Sequence, residues 1–451
     1  MDEARLESEL QEVGRQLAAA LPSAARHPLK AVDDQAMDLA SSDQELKAAL
    51  FRFVDVVPSC RNLDDLARHL IGFLGEMDTP PPPVVAAMKM GGSRAGRTAL
   101  GAAAAAGVRH MAHRFIVGES PRAAMGDLRG LWKDGVAATV DLLGEATVTQ
   151  DEARHYATRC AEALETLVEA TAGWPERPRL QEDSSGPLPR ANLSVKVSAL
   201  TPLLRAGAPE RGQRDAAGRL RELLRAARDF GAHLHIDMES LDSRDAVTEL
   251  ILDLLAEDEF RDGPSAGLVL QAYLRDSPDT ADLVIGWAVD GPGAARAQPL
   301  TVRLVKGAYW DHELVEARQH GWSVPVFESK AECDLNFETL TRRLLDARGP
   351  VRLAVGSHNL RSVAHAVAYN RLSGGEDSDV ELQVLRGLGD PLQEALAASG
   401  FRVRAYCPVG DLVAGMAYLV RRLLENTSND SFLLAQSQGA SLDQLLARPA
   451  A

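Results

Sequence analysis

Residues 192–199 read NLSVKVSA. Side chains alternate across a strand, so Leu193, Val195 and Val197 share one face while Ser194, Lys196 and Ser198 share the other. The run HLHIDM (233–238) repeats the pattern, with Leu234 and Ile236 opposing His233, His235 and Asp237. Six more runs have a similar texture: VAATVDLL (136–143), LVLQAYL (268–274), TVRLVKGA (301–308), VRLAVGS (351–357), VELQVLRG (380–387) and FRVRAYCPVG (401–410). Helical stretches such as AAGRLRELLRAARDF (216–230) and NFETLTRRLLDA (336–347) fit between most of them. Strands alternating with helices signal βαβ units and a parallel sheet. Eight such units over roughly 300 residues predict an α/β fold, a (βα)8 TIM barrel.

The polar faces carry a second signal. Gln271 and Tyr273 share a face, as do Arg303 and Val305, and Arg404 and Tyr406. The apolar faces are expected to meet the helix ring and the polar faces to point into the barrel. A packed barrel interior prefers branched apolar side chains, so polar groups toward strand C-termini, where barrel active sites sit, predict a ligand there.

Upstream the pattern is helical: ARLESELQEVGRQLAAAL, QELKAALFRFVDVV and NLDDLARHLIGFLGEM space their apolar residues at helical intervals. DTPPPPVV (78–85) interrupts it and GRTALGAAAAAGVRHMAHRFI resumes it. The expected organisation is a helical N-terminal arm and domain (1–130), a barrel (131–440) and a C-terminal tail (441–451). PERPRLQEDSSGPLPR (175–190) reads as a polar loop and SGGEDSD (373–379) as a turn.

The formal net charge of −15 over 451 residues argues against a nucleic-acid partner. No apolar run reaches the length of about 18 residues that a membrane span needs. The acidic start MDEARLESELQEVG is unlike a secretory signal. Cys60, Cys160, Cys333 and Cys407 lie far apart with no CxxC spacing, which fits reduced thiols and a cytoplasmic location.

YLVRRLLEN (418–426) sets Tyr418, Arg421, Arg422 and Glu425 on one helical stripe. Paired arginines suit bidentate capture of a carboxylate; surface ion pairs with groups such as Glu425 are the alternative. Lys196, Asp237, Arg303 and Tyr406 come from separate strands. A strand lysine needs an acidic partner, and Asp237 on the next strand can supply it. Gly307 in VRLVKGAYWD (302–311) lets backbone approach a ligand, with Tyr309 and Trp310 as stacking faces. A competing reading makes His233, His235, Asp237 and His358 a metal-dependent hydrolase site. His110 and His113 are expected to face solvent or a subdomain contact. No G-x-x-x-x-G-K-[ST], G-x-G-x-x-G or G-x-S-x-G motif occurs in a matching context.

LSVKVSAL, HIDMES, LVLQAY, RLVKGAYWD, SHN, LQVLRGLGDP, RAYCPVG and YLVRRLLENTSNDSF follow one another in this order. Together they closely resemble the proline dehydrogenase domain of the proline utilisation A family, bifunctional proline dehydrogenases and pyrroline-5-carboxylate dehydrogenases. The resemblance runs from GVRHMAHRFIVGE (107–119) through Phe432. It implies a distorted barrel that binds FAD and oxidises L-proline to Δ1-pyrroline-5-carboxylate, without a metal, by hydride transfer from proline C5 to flavin N5. Carried onto this sequence, Arg421 and Arg422 clamp the carboxylate and Glu145 holds Arg421. Lys196 and Asp237 lie close to the substrate, and Tyr406, Tyr418 and Leu385 wall its ring. Arg303 sits beside flavin N5, with Gln271, Val305, Lys306, Gly307, Ala308, Trp310, Ser357, His358, Asn359, Glu425 and Phe432 around the cofactor. Ser357 stands where threonine is expected, Gly356 and Met238 where alanine is usual, and Arg386 where His or Tyr is usual. Tyr406 is associated with proline in the family, whereas hydroxyproline enzymes carry a smaller residue. Oxidation of another cyclic secondary amine, such as hydroxyproline, is the alternative. The family also implies quinone as electron acceptor, peripheral contact with the inner membrane face, and a pyrroline-5-carboxylate dehydrogenase downstream.

Overall fold

Among the residues described by the computed structural model (2–22, 43–144, 147–411, 415 and 440–449), eight strands close into a barrel in which every neighbouring pair is parallel. They are β1 (Val136–Leu142), β4 (Asn192–Lys196), β5 (His233–Asp237), β6 (Ser265–Gln271), β7 (Leu300–Val305), β8 (Val351–Gly356), β9 (Val380–Leu385) and β10 (Arg402–Val409). Neighbours in the barrel are neighbours in this series, and β10 returns to pair with β1. All eight expected runs therefore fall on barrel strands. The short hairpin β2 (Glu182–Asp183) and β3 (Gly186–Pro187) is separate and antiparallel.

Helices sit between most strands, as the 3.6-residue spacing requires. In Pro209–Phe230, Ala216, Leu220, Leu223, Leu224 and Ala227 are buried. Gly231 ends that helix with φ +64, a left-handed conformation that glycine adopts without a Cβ clash. Leu234 and Ile236 on β5, and Leu193 and Val195 on β4, are fully buried within the same apolar cluster as these helix residues. The outward apolar faces of the strands thus meet the helix ring.

Two details depart from the sequence reading. NLSVKVSA ends as strand at Lys196, and Val197–Leu200 turns helical. Val197, Ala199 and Leu200 are buried in the main core, so the turn buries apolar side chains on a face that strand geometry would give to Ser198. The stretch 175–190 is more than a loop. It holds a helical turn, Pro178–Gln181, and the β2–β3 hairpin, and Asp183 in it is 7% exposed.

The N-terminal helix Glu3–Ala20 joins the barrel's own core through Leu6, Leu10, Val13 and Leu17. Its polar side is tied down by Glu7, which accepts from Arg361 at 2.8 and 2.9 Å. The helices within 44–115 build a second core around Phe53, Leu70, Leu74, Leu100 and Phe115. Leu143, just past β1, belongs to that second core, and Leu388 and Tyr406 pack against it. This places the helical segment beside the C-terminal mouth of the barrel. The proline run enters helix Pro82–Met90 at its first turn, where a missing N–H costs nothing. His110 and His113 are exposed on Arg94–Phe115.

Candidate active site

Register sets the site. Lys196 on β4 lies opposite Asp237 on β5, Leu385 on β9 opposite Tyr406 on β10, and Val305 on β7 opposite both Gln271 on β6 and Gly356 on β8. Except for Tyr406, which β10 continues past to Val409, these residues end their strands, so their side chains gather at one rim of the barrel. The polar faces point inward, as expected, and bond across the lumen between strands that do not touch. Arg303 on β7 donates from Nη1 to Asp237 Oδ1 on β5 at 2.6 Å, from Nε to Gln383 Oε1 on β9 at 2.7 Å, and from Nη2 to Ser194 Oγ on β4 at 3.2 Å. Its guanidinium carbon lies 5.3 Å from the Tyr406 ring centre. Tyr406 Oη donates to the other Asp237 oxygen at 2.6 Å.

Lys196 is ion-paired to Asp141, with Asp237 Oδ2 at 3.6 Å. The closer acid is thus Asp141, a residue that sequence reasoning passed over. Its signal was present: Asp141 and Thr139 occupy one face of β1, and Asp141 registers with Ser194 on the inward face of β4. Burial opposes the charge on Lys196, but Asp141 and then Asp237 outweigh it and raise its pKa above the ordinary lysine value. Lys196 is therefore held in its protonated form by these two acids. Burial, followed by the charges of Asp141 and Asp237, pushes the Tyr406 phenol well above its usual range, so it stays neutral and donates.

Beneath this rim the polar contacts continue. Gln383 Nε2 donates to Glu381 Oε1 at 2.6 Å, and Arg404 Nε donates to the same oxygen at 2.8 Å. Gln383, Glu381 and Ser194 were also missed as site residues, although each sits on the polar face of a strand already recognised. His233 and His235 bond to each other at 3.1 Å, and His233 Nδ1 meets Ser265 Oγ at 2.8 Å. Burial first, then nearby arginines, drives His233 down to about 3 and His235 well below its usual value. Asp237 is engaged by Arg303 and Tyr406, and among the described residues the ligand atoms of His233, His235, Asp237 and His358 do not gather closely enough to hold one metal ion.

The residues expected around a cofactor line the adjacent ends of β6, β7 and β8. Gln271 is buried, donates to Glu239 O at 2.8 Å, and has no partner for its amide oxygen among the described residues. Lys306 pairs with Asp334. Gly307 has φ +132, and a Cβ there would lie 2.3 Å from the Tyr273 ring. Val305, Lys306, Gly307 and Trp310 are half-buried and Ala308 is exposed; Trp310 Nε1 donates to Phe327 O at 2.8 Å. After β8, Ser357 Oγ accepts from Asn359 N at 3.1 Å, and Asn359 Oδ1 caps the next helix at Ser362 N at 3.0 Å. His358 Nε2 accepts from Leu385 N at 2.9 Å, which links this end to the Leu385–Tyr406 rim. The arrangement is a half-buried polar ledge beside a buried cluster of charges, suited to a flat cofactor lying against a small charged substrate. Glu145, Tyr418, Arg421, Arg422, Glu425 and Phe432 fall outside the described residues.

Comparison with known proteins agrees with this geometry. The proline dehydrogenase family model matches residues 124–435, and the proline utilization A N-terminal domain matches residues 7–115. The bifunctional protein PutA of Salmonella typhimurium is 31% identical over 353 residues, 76% of this chain and 25% of that protein. Proline dehydrogenase 1 of Bacillus subtilis subsp. natto is 27% identical over 74% of this chain and 92% of that protein. The crystal structure of proline utilization A from Bdellovibrio bacteriovorus, inactivated by N-propargylglycine, superposes with a TM-score of 0.87 at 34% identity, covering 99% of this chain and 44% of that one. The chain spans about a quarter of the length of the curated bifunctional relatives.

Proposed function

This chain belongs to the proline dehydrogenase family, and from that premise we propose that it oxidises L-proline to Δ1-pyrroline-5-carboxylate with FAD. The observation that carries the reading is the cluster of Lys196, Asp237, Arg303 and Tyr406 at the C-terminal rim of the barrel, beside a ledge formed by β6, β7 and β8. When bound, FAD supplies the acceptor, at N5, for the hydride that leaves proline C5. The protein residues fit such a group: Gln271 offers a buried amide oxygen that has no partner among the described residues, and Gly307 brings backbone close to the ledge.

The remaining work is positioning and electrostatics. Arg421 and Arg422 clamp the substrate carboxylate, and Glu145 orients Arg421. A fixed carboxylate fixes the ring, which is a large part of the barrier when a bimolecular step becomes an oriented one. Lys196 and Arg303 add buried positive charge at the reacting end. Lys196 is held protonated, so it serves as a charge and a donor and does not take up the amine proton. Tyr406, fixed by Asp237, packs against the proline ring together with Tyr418, and Leu385 completes the wall. Ser357, His358, Asn359, Val305, Lys306, Ala308 and Trp310 hold the cofactor, together with Glu425 and Phe432.

Electrons pass on to quinone through peripheral contact with a membrane surface, and the product feeds a pyrroline-5-carboxylate dehydrogenase. Among the described residues no helix is long and apolar enough to cross a membrane.

The visible spectrum tests the reading. Protein supplied with FAD is expected to show flavin bands that bleach when L-proline is added without oxygen. A protein that stays colourless after FAD is supplied, or flavin bands that L-proline leaves unchanged, would overturn it.

A further inference from the structure

The end of the barrel opposite the mouth is plugged by the β2–β3 hairpin. Asp183 in the plug accepts from Arg402 Nη1 at 2.9 Å and from Arg352 Nε and Nη2 at 3.3 and 3.2 Å. These arginines stand at the starts of β10 and β8. Arg352 Nη2 also donates to the carbonyls of Gly186 and Pro187 at 3.2 and 3.3 Å. Above the plug lies a cavity of about 20 Å³, lined among others by Leu188, Pro189, His235, Arg352, Arg402 and Arg404. A space of this order holds a single water-sized particle.

The charges around this cavity do not cancel. Among the described residues, Arg352, Arg402 and Arg404 are buried there against two carboxylates, Asp183 and Glu381. The histidines add nothing, because burial keeps His233 and His235 neutral. One buried cation is left in surplus. Three polar atoms of the lining residues also have no hydrogen-bond partner among the described residues: Arg352 Nη1, Arg402 Nε and His235 Nε2. The first two are obligate donors. His235 Nε2 is a donor in the tautomer in which its Nδ1 accepts from His233 Nε2, and His233 Nδ1 then accepts from Ser265 Oγ. Leaving a buried charge and two guanidinium donors unpaired is costly. A neutral water would satisfy donors but leave the charge.

We propose that the barrel floor binds one monatomic monovalent anion, a halide such as chloride, between Arg352, Arg402 and His235. The ion neutralises the floor and closes the donor set. It lies at the far end of the inward polar column from Lys196, so its role is structural. Burial lowers the Arg402 pKa despite the opposing pull of Glu381 and Asp183, in keeping with a guanidinium whose charge the protein alone does not balance.

The unmodified chain tests this directly. Crystals soaked in bromide are expected to show an anomalous scattering peak between Arg352 and Arg402; a peak without anomalous signal means water and overturns the proposal. In solution, exchanging gluconate for chloride at constant ionic strength is expected to raise Tm in a saturable way. In Arg402→Met that chloride-dependent rise is expected to disappear. A wild-type Tm indifferent to the exchange, or a rise that survives in the variant, would equally overturn the site. The bromide experiment uses unmodified protein, so it decides the matter even if the variant fails to fold.

Discussion

Gln383 Oε1 accepts from Arg303 Nε at 2.7 Å, while Gln383 Nε2 donates to Glu381 at 2.6 Å. One amide therefore joins the reacting rim to the charges below it, and both its ends are used. Arg303 is held on three sides, by Gln383, Asp237 and Ser194, which fixes its guanidinium plane before any ligand arrives. Such preorganisation is where electrostatic catalysis gains most, because nothing need reorient during the reaction.

Replacing Gln383 with leucine keeps the volume and removes both bonds. Leaving a buried guanidinium N–H unpaired costs about 1–3 kcal/mol, so Gln383→Leu is expected to lose stability of that order. It is also expected to lower the turnover number for proline more than it raises KM, since Arg303 loses its orientation while the carboxylate clamp is untouched. Denaturant unfolding and steady-state kinetics together check this; a change confined to KM would sink the orienting role.

Asp141 tests the charge of Lys196. With Asp141→Asn, Lys196 loses its closest acid and keeps Asp237, 3.6 Å away, with Glu239 further off, so burial pulls its pKa down. The expected outcome is an alkaline fall in kcat/KM at lower pH than in the wild type, and a stability loss below the roughly 3–5 kcal/mol that breaking a buried pair outright costs, since asparagine still accepts. A pH profile superimposable on the wild type would show that Asp141 does not set the lysine's charge.

How far the sequence carried these features depends on which physical signal each residue leaves. The barrel was legible because strand alternation and helical spacing both extend over whole elements, and Lys196, Asp237, Arg303 and Tyr406 stood out as polar residues on inward faces. Asp141 and Gln383 sit on the same faces but lie in runs dominated by apolar neighbours, VAATVDLL and VELQVLRG, and only register reveals that they meet Lys196 and Arg303. The β2–β3 plug was illegible for another reason. PERPRLQEDSSGPLPR is polar and proline-rich, as a solvated loop would be. What orders it is a tertiary event, the pairing of Asp183 with Arg352 and Arg402, which lie about 170 and 220 residues further along the chain, and sequence distance hides such a contact.

Two buried histidines predict acid lability. His233 and His365 are each pushed down to about 3, chiefly by burial, against an ordinary value of about 6.5. Their folded pKa is depressed, so the stability is complete above about pH 6.5 and is lost as pH falls toward 3. Within that window the unfolded chain binds more protons. Each histidine then costs about 1.4 kcal/mol per pH unit. Glu381 is also depressed, by Arg404 and Arg402 working against burial, and its contribution is lost below the ordinary glutamate range. Denaturant midpoints measured from pH 7 to pH 5 should fall steadily, and His365→Gln should flatten the slope by about one proton equivalent. An unchanged slope in that variant would refute the account.

Gly307→Ala probes the ledge. At φ +132 a side chain is strained, and the added Cβ would lie 2.3 Å from the Tyr273 ring. The cost is expected to be roughly 1–3 kcal/mol, felt where β7 leaves the barrel. FAD affinity, followed by flavin fluorescence on titration, should therefore weaken while L-proline remains the preferred reductant of the enzyme that does bind it. Wild-type FAD affinity in this variant would remove Gly307 from the cofactor site.

The arginine pair of YLVRRLLEN closes the set. Arg421→Met and Arg422→Met each remove one half of a carboxylate clamp and leave the ledge residues untouched. Truncating one partner of a buried, hydrogen-bonded charge pair costs about 2–5 kcal/mol, so each variant is expected to weaken proline binding by at least one to two orders of magnitude. FAD content should stay at the wild-type level, because the lost contact is to substrate. The separation of these two readouts is what distinguishes a clamp from a structural ion pair. A surface pair would leave both unchanged, and a pair needed for folding would lower both together. Substrate analogues sharpen the distinction: pyrrolidine, which has the ring and amine but no carboxylate, gains nothing from the clamp. Its oxidation should be slow in the wild type and slow to the same degree in both variants. If pyrrolidine oxidation fell in step with proline oxidation, the arginines would be acting on something other than the carboxylate.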